Sequence, residues 1–396
     1  MNAPLNHQAL PGDGRTGRVA RMAAIAAAHA DAVDRAARFP AEAVESMKKE
    51  HLLALQVPAD LGGAGASLSD IAEICSVLGQ HCASSAMIYA MHNIKLSSLV
   101  SHGAASGWHR DFMRQIAAGQ LLIASATTEA GIGGDLRNSI CAIEVEGDGF
   151  TLEKDASVIS YGVHADAILI TSRRAPDAAT SDQVMTAVLK DQYSLAKTHG
   201  WDTLGMRGTC SEGFKFTATG SAAQILPKPF AEIAAQSMLA TSHLLWASLW
   251  FGIAADALVR AQNFVRTEAR KRPGFTPPGA QRVADANAML QRLRADIADG
   301  LRRFEKATLD HDELMSMGFA VAMNNIKLNA SRSIVEIIQE AMMVCGIWGY
   351  KNDTPYSLGR HLRDAHSAAI MISNDRIVGN TANLLLVNRI NTSLLP

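Results

Sequence analysis

The stretch Thr127-Thr128-Glu129-Ala130-Gly131-Ile132-Gly133-Gly134-Asp135 lies where the periodicity of the chain changes from helical to strand-like. A candidate strand, 122–126, ends directly before it, and two hydroxyl side chains open it, ahead of three glycines. Hydroxyl and backbone N–H groups at a strand end can bond the polar edge of a ligand, and glycines let the backbone approach that ligand closely. A plain glycine-rich turn would have the same composition. The stretch therefore indicates the start of a β region and a candidate binding loop.

Helical regions flank this β region on both sides. From Val19 to about Gly119 apolar residues recur with helical spacing, and after Phe230 the same spacing returns. Proline and glycine residues at 272–279 divide the second region into two long helices. We therefore predict an α+β protein with a flexible arm (1–17), an N-terminal all-α domain (18–120), a middle β domain (121–229) and a C-terminal four-helix bundle (230–396).

Short segments with strand-like alternation fill the middle region, separated by turns at 146–149, 176–177 and 219–220. Strands at this spacing are typical of a small antiparallel barrel or sandwich. The candidate strands are Leu122 to Ala126, Ile140 to Val145, Phe150 to Asp155, Ala167 to Ser172, Val184 to Lys190 and Gly213 to Ala218.

Composition narrows the classes of partner. The 396 residues are 48% hydrophobic, with 37 basic and 38 acidic side chains and a net charge of -1. Such a balance offers no field for nucleic acid or an anionic membrane. Five scattered cysteines predict neither a metal site nor disulfides, and they suit the cytoplasm. The uncharged run 233–255 is long enough to span a bilayer, but its polar residues favour a buried helix preceded by a loop.

Three further motifs follow the opening stretch in a fixed order. They are Val158-Ile159-Ser160-Tyr161-Gly162, Leu204-Gly205-Met206-Arg207-Gly208-Thr209-Cys210-Ser211 and, in the tail, Arg363-Asp364-Ala365. Together with the helical, β, helical layout, these motifs resemble the acyl-CoA dehydrogenase flavoproteins along nearly the whole chain. The order of the motifs supports this resemblance more than any single motif does.

The resemblance implies an FAD cofactor and assigns candidate residues to it. Ser160 is expected near flavin N5, and Val158 replaces the aromatic residue that usually flanks the ring. Gly134 replaces a serine that touches the CoA arm, and His92 lies on a helix that lines the acyl pocket, so both are candidate substrate-binding residues. The full set of expected flavin-binding residues within one subunit is Ser125, Thr127, Thr128, Gly133, Val158, Ile159 and Ser160.

The resemblance also implies partners. Arg270 and Gly346 correspond to positions that contact the FAD of a neighbouring subunit, which implies a homodimer or homotetramer. The implied substrate is an acyl thioester, linked to CoA or to a carrier protein, and an electron-accepting flavoprotein is a possible further partner.

The carboxylate base of this family is missing from the sequence. In the family a glutamate removes the α-proton of the thioester while a hydride passes to flavin N5, and Ile372 stands at its position. The alternative position for that base, on the first long helix of the bundle, is Ser242. His243 and His92 are weak replacement candidates, since a lone histidine on an apolar helix is usually a core residue. His366 is expected to face away from the flavin.

Three hypotheses remain open from the sequence. The first is α,β-dehydrogenation of an acyl thioester with an unconventional base. The second is a flavin-dependent monooxygenase of the same fold that uses reduced flavin and oxygen. The third is a non-catalytic subunit that binds a thioester or flavin.

Overall fold

The computed structural model describes residues 14–393, and a helical part, a β part and a second helical part follow one another along the chain. The first helix starts at Arg15, so the last three residues of the expected arm are helical, while 1–13 lie outside the described residues. The helices of the first part are α1 (Arg15–Ala36), α2 (Ala41–Lys49), α3 (Leu68–Gly79), α4 (Ala83–Gly103) and α5 (Gly107–Gly119).

The β part contains two sheets. One has three strands in the order β1-β4-β5, and the other has four in the order β2-β3-β7-β6. Burial alternates along most of β3, as expected of a strand with one face toward a core. The strands are β1 (Ile123–Ala126), β2 (Ile143–Glu146), β3 (Gly149–Ile159), β4 (Ala167–Arg173), β5 (Gln183–Leu189), β6 (Tyr193–His199) and β7 (Glu212–Ser221).

Two details differ from the sequence prediction. β1 pairs with β4 in parallel, so the part is not wholly antiparallel. This pairing is possible because β2 and β3, which lie between them in the chain, belong to the other sheet and provide the long crossover that parallel strands need. β6 was not expected as a strand, because it lies at a sheet edge with mostly exposed side chains and lacks the alternation that marks a half-buried strand.

The second helical part begins at α6 (Phe230–Ile233), passes through a π-helical turn (Ala234–Met238) and continues into α7. The expected break at 272–279 is confirmed, since α7 ends at Lys271 and α8 starts at Gly279. The remaining helices are α7 (Leu239–Lys271), α8 (Gly279–Ala307), α9 (His311–Leu314), α10 (Met317–Cys345), α11 (Ile347–Tyr350), α12 (Gly359–Ala365) and α13 (Asn374–Val387).

The continuous helix Phe230–Lys271 is long and apolar enough to cross a membrane by length and composition. Of its most apolar 18-residue window, 72% is buried inside the protein, as in the core helix of a folded domain. The run 233–255 is therefore a buried helix, as the sequence predicted, but the expected loop before it is the π-helical turn.

Helices α3 and α7 cross at two glycines. A Cβ atom added to Gly252 would overlap the backbone carbonyl of Ser76, and one added to Gly79 would overlap that of Leu249. The two backbones can approach this closely only because both residues lack a side chain. The crossing fixes the first half of α7, which forms one wall of the candidate site, against the N-terminal helices.

Candidate functional site

A cavity of about 730 Å³ lies where the three parts of the chain meet. This volume falls in the usual range for a small-molecule or cofactor site. Its walls come from α4, the end of β1, the glycine-rich loop, the segment before β7, the start of α7 and the tail. Of the residues expected from the sequence, the cavity is lined by Ser125, Thr127, Thr128, Gly133, Gly134, Val158, Ser160, Ser242 and Ile372.

The glycine-rich loop forms one rim of the cavity. Gly133 and Gly134 have φ angles of 58° and 78°, in the left-handed region that side chains disfavour. A Cβ atom on Gly134 would overlap the guanidinium of Arg376, which lies across the loop from α13. A charged donor and backbone without side chains therefore meet at this rim, and such a rim suits an anionic or polar ligand group.

Glu129 fixes this loop but does not line the cavity. Its carboxylate accepts hydrogen bonds from the backbone N–H groups of Ile140 (3.0 Å) and Cys141 (2.6 Å) and from the Ser139 hydroxyl (2.8 Å). Lys154 lies 4.0 Å away and donates to the Thr171 carbonyl at 2.7 Å. Because all of these groups are buried or partly buried, Glu129 holds the two ends of the loop together.

Three hydroxyl groups along the cavity wall form a hydrogen-bonded chain that ends at a backbone carbonyl. The Thr209 hydroxyl donates to the Met206 carbonyl (2.9 Å), Ser211 lies 2.7 Å from Thr209, and Ser160 lies 2.8 Å from Ser211. Since a carbonyl can only accept and each hydroxyl has one proton, every proton in the chain points toward Met206. Ser160 therefore presents an acceptor to the cavity.

Ile372, at the expected base position, has a φ angle of 50°. This conformation is a strained outlier for a β-branched residue. The buried Lys327 of α10 holds the turn by donating to the Ile372 carbonyl (2.6 Å) and to the Asn374 side-chain oxygen (2.7 Å). Burial lowers the pKa of Lys327 to about 8.

The Arg-Asp-Ala turn links the tail to the other two parts of the chain. Arg363 forms two hydrogen bonds with the Asp34 carboxylate, one of them 2.9 Å long, and a third of 3.0 Å with the Leu204 carbonyl. Asp364 accepts from the Met206 N–H at 2.6 Å, and burial raises the pKa of its carboxyl to about 6. Arg363 lines the cavity, whereas Asp364 does not line it and instead bonds the backbone of the middle part of the chain.

The two histidines considered as replacement bases do not line the cavity. His92 Nε2 is 2.6 Å from the Leu53 carbonyl, and its Nδ1 accepts from the Ile123 N–H at 3.0 Å, so backbone groups occupy both nitrogens. His243 Nδ1 bonds the Met323 carbonyl at 3.2 Å. Burial lowers both pKa values to about 4. Both histidines are therefore held by structural contacts, and a substrate-binding role for His92 stays a prediction that these contacts do not support.

The side chains that line the cavity and can carry charge are basic. They are Lys95, Arg363, His366 and Arg376, and over residues 14–393 no Asp or Glu lines it. The expectation for His366 was wrong, because the 3₁₀ turn His366–Ala369 that follows α12 brings it to the cavity wall. Ser242 lines the cavity, but its hydroxyl donates to the Met238 carbonyl at 2.5 Å.

Comparison with known proteins assigns this fold and cavity to a family. The model of the acyl-CoA dehydrogenase N-terminal domain matches residues 18–120, and that of the C-terminal domain matches residues 233–375. The chain belongs to the acyl-CoA dehydrogenase family. It is a flavoprotein oxidoreductase, and FAD is the cofactor of the family.

Individual relatives carry out different reactions. The amino sugar nitrososynthase DnmZ of Streptomyces peucetius is 26% identical over 351 residues, which cover 85% of this chain and 84% of DnmZ. The mitochondrial short-chain specific acyl-CoA dehydrogenase of Homo sapiens is 27% identical over 353 residues, covering 85% and 80%. The structure of FMN-bound TdsC, a dibenzothiophene monooxygenase from Paenibacillus sp. A11-2, has a TM-score of 0.80 at 18% identity, covering 95% and 98%.

The cavity of this acyl-CoA dehydrogenase family member fits a flavin. Hydroxyl groups of Thr127 and Ser160 and the bare backbone of the glycine-rich loop lie along the same cavity as apolar side chains such as Val158 and Trp246. A flavin ring needs this combination, with polar contacts at one edge and apolar contacts over its faces. When bound, the flavin supplies electron transfer, and the residues around it hold and orient the ring.

Three residues of the expected flavin set do not line the cavity. Ile159 is fully buried next to the candidate residues Val158 and Ser160. Arg270 lies near the end of α7, and Gly346 follows the end of α10, with a φ angle of 54°. Contact of Arg270 and Gly346 with a flavin in a partner subunit remains a prediction.

The sequence interpretation overlooked Lys95 and Arg376. Lys95 had a usable signal, because it is the one charged side chain among the residues of α4, Ala83–Gly103, apart from histidines. Arg376 had none, since its position against Gly134 depends on tertiary packing.

Proposed function

We propose that this protein is a flavin-dependent monooxygenase, which was the second hypothesis from the sequence. One observation carries the proposal: over residues 14–393, the cavity that fits the flavin is lined by basic, hydroxyl and apolar side chains and by no carboxylate. Insertion of an oxygen atom needs no carboxylate to remove a carbon-bound proton, whereas dehydrogenation of a thioester does.

The competing reaction is α,β-dehydrogenation of an acyl thioester. The α-proton is weakly acidic, and a positioned base contributes roughly 10² to 10⁴ in rate. At the two expected base positions stand Ile372, which has no proton acceptor, and Ser242, whose hydroxyl donates to Met238. The short-chain acyl-CoA dehydrogenase named above supports dehydrogenation by similarity, and so it is the alternative that the experiment must distinguish.

The hydroxyl chain supports the oxygenase proposal independently. Reduced flavin carries an N–H group at N5, and oxidised flavin has an acceptor there. Ser160 is expected near N5 and presents an acceptor to the cavity, so it can accept a hydrogen bond from the N5–H group of reduced flavin. The names of two relatives, a monooxygenase and a nitrososynthase, agree with this direction.

The proposed reaction converts substrate, dioxygen and reduced flavin into oxygenated substrate, water and oxidised flavin. One oxygen atom enters the substrate, the other leaves as water, and reduced flavin supplies two electrons and two protons. The apolar wall of α4 and α7 would exclude water from the substrate, and Ser160 would orient the reduced ring. Arg376 would bind an anionic group at the glycine-rich rim.

The experiment compares both reactions with one purified preparation. Oxidised flavin complexes with FAD and with FMN are titrated anaerobically with acyl thioesters of CoA and of a carrier protein, and flavin absorbance is recorded. We expect no bleaching. Reduced flavin is then titrated with the protein in the absence of oxygen, and we expect the protein to bind reduced flavin at least about tenfold more tightly than oxidised flavin. Bleaching by any thioester would refute the oxygenase proposal in favour of dehydrogenation.

We also propose that the protein forms a homodimer or homotetramer. Large apolar side chains around Gly346 are exposed, and their burial against a second copy would be favourable. They are Met343, Ile347, Trp348 and Tyr350. Light scattering coupled to gel filtration measures the mass, and a monomer at micromolar concentration would contradict the assembly.

A further inference from the structure

Lys95 lies on the face of α4 that forms a wall of the cavity, beside Met87, Met91 and Ile94. It is 3% exposed. Its ammonium group donates to the thioether sulfur of Met238 at 3.1 Å, across the cavity wall in the π-helical turn. Thioethers are weak acceptors, so this contact does little to replace the water that the ammonium loses on burial.

Two other buried lysines provide an internal comparison. Lys154 donates to the Thr171 carbonyl at 2.7 Å and lies 4.0 Å from the Glu129 carboxylate. Lys327 donates to two oxygens, at 2.6 and 2.7 Å. Oxygen acceptors within the protein therefore compensate both of these ammonium groups. Among the described residues, Lys95 alone of the three has no oxygen acceptor, and it alone lines the cavity.

The surroundings of Lys95 also lack a compensating charge. No ion pair in the described part of the chain includes it, and Lys154 of β3 adds repulsion. Burial, with this repulsion, lowers the pKa of Lys95 to about 7. A lysine buried in this way reduces the stability of the protein unless an anion enters the cavity, and strongly perturbed groups of this kind cluster at functional sites.

We propose that Lys95 recognises a monoanionic oxygen group, a carboxylate or phenolate, on the substrate of this cavity. The proposal rests on the proposed function only in taking the cavity as the substrate site. The methionine and isoleucine side chains around Lys95 provide an apolar surface for the body of such a substrate. The ammonium would form a charge-assisted hydrogen bond with its anionic end.

The phosphate of the flavin is a second anion that could bind the Lys95 ammonium in the same way. The two anions are distinguished by which ligand binds more weakly once the charge of Lys95 is removed. If Lys95 binds a substrate anion, the Lys95→Met variant retains its affinity for FMN. If it binds the flavin phosphate, the variant loses affinity for FMN and keeps its affinity for riboflavin, which lacks the phosphate.

The experiment uses the oxidised flavin complex of the full chain, so that neither oxygen nor turnover is involved. Benzoate and hexanoate are the anionic probes, and benzamide and hexanamide are their neutral counterparts of the same shape. Binding is measured by calorimetry for the wild type, for Lys95→Met and for Lys49→Met, which removes an exposed lysine. We expect the wild type to bind at least one anion about tenfold or more tightly than its amide, and Lys95→Met alone to lose that difference.

Thermal stability separates a binding role from a structural one. Lys95→Met removes a buried charge and leaves an apolar side chain of similar length, so we expect an unchanged or higher Tm together with the lost anion affinity. A lower Tm without any loss of anion affinity would overturn the proposal. So would equal affinity for both anions and their amides in the wild type, or loss of FMN binding with riboflavin binding retained. None of these outcomes depends on oxygenase activity, so failure here is distinct from failure of the proposed function.

Discussion

Replacement of Glu129 by alanine tests whether the glycine-rich loop is held by a buried carboxylate. The substitution removes the acceptor of two backbone N–H groups and one hydroxyl, and it leaves Lys154 without its carboxylate neighbour. The side chains of Glu129 and Lys154 are 4% and 1% exposed. Water therefore cannot replace the lost contacts unless the loop opens.

The magnitude follows from these contacts. Breaking a buried ion pair by removing one partner costs about 3–5 kcal/mol. Lys154 keeps its hydrogen bonds to the Thr171 carbonyl and hydroxyl, at 2.7 and 3.2 Å, so the lower end applies. We expect Glu129→Ala to reduce the free energy of unfolding by about 3 kcal/mol, which lowers Tm by roughly 4 °C if the 396-residue chain unfolds as one unit.

The assay is a double-mutant cycle with Lys154→Met, measured as Tm and as flavin affinity. Removing both charges leaves no uncompensated lysine, so the double variant should recover part of the lost stability, with a coupling energy of about 2 kcal/mol. Glu144→Ala, an exposed change on β2, is the control and should leave Tm unchanged. Additive effects of Glu129→Ala and Lys154→Met, to within about 0.5 kcal/mol, would refute the reasoning.

Three other substitutions test separate features of the fold and cavity. Gly252→Ala should lower Tm by an amount corresponding to about 1–3 kcal/mol, because the new methyl group meets the Ser76 carbonyl. The control, Gly379→Ala on an open helix surface, should not lower Tm. Equal effects of the two substitutions would contradict the close crossing of α3 and α7. Ser211→Ala should lower the midpoint potential of the bound flavin, by about 30 mV for each tenfold loss in the protein's preference for reduced over oxidised flavin. Spectroelectrochemistry measures this potential, and an unchanged value would count against a directed hydroxyl chain. Ile372→Glu should leave acyl-CoA unable to bleach the flavin, because the basic side chains that line the cavity would hold the new carboxylate in its ionised form and weaken it as a base. Bleaching would instead indicate a dehydrogenase pocket that lacks only its base.

Ionisation of Lys95 gives a stability prediction with a defined sign. Its pKa falls from the usual 10.5 to about 7 on folding, so the charged form is disfavoured in the folded state. The resulting destabilisation is complete below pH 7 and disappears as pH rises toward 10.5, with an upper limit of about 5 kcal/mol from 1.36 kcal/mol per pKa unit. Lys95→Met should therefore raise Tm more at pH 6 than at pH 9. A difference independent of pH would contradict the buried ammonium.

Much of the cavity could be predicted from the sequence because its residues occur in short contiguous motifs. The glycine-rich loop lines the cavity, and so do Val158 and Ser160 of the next motif. In each motif the residues that shape the backbone and those that face the ligand lie within a few consecutive positions. The position of Ile372 could likewise be counted from Arg363. The domain boundaries and the roles of the individual flavin residues stay predictions.

The remaining features depend on contacts between distant segments. His92 looks like a candidate ligand in the sequence, and only the carbonyl of Leu53 and the N–H of Ile123 make it structural. The parallel pairing of β1 with β4 requires a hairpin to leave the sheet between them. The sequence also could not show that Lys95 and Lys154 differ in their surroundings. Lys154 has an oxygen acceptor in the Thr171 carbonyl, whereas Lys95 has only the sulfur of Met238.

The hydrogen bonds of Lys327 to the tail have an evolutionary consequence. Lys327 bonds the main-chain carbonyl of residue 372 and the side chain of its neighbour Asn374, so the shape of the turn does not depend on the side chain at 372. A scaffold of this kind can exchange the reactive group at one position without rebuilding the backbone that presents it. The side chain at position 372 can therefore change during evolution while the backbone of the turn stays in place, and the chemistry then depends on whether the rest of the cavity changes with it.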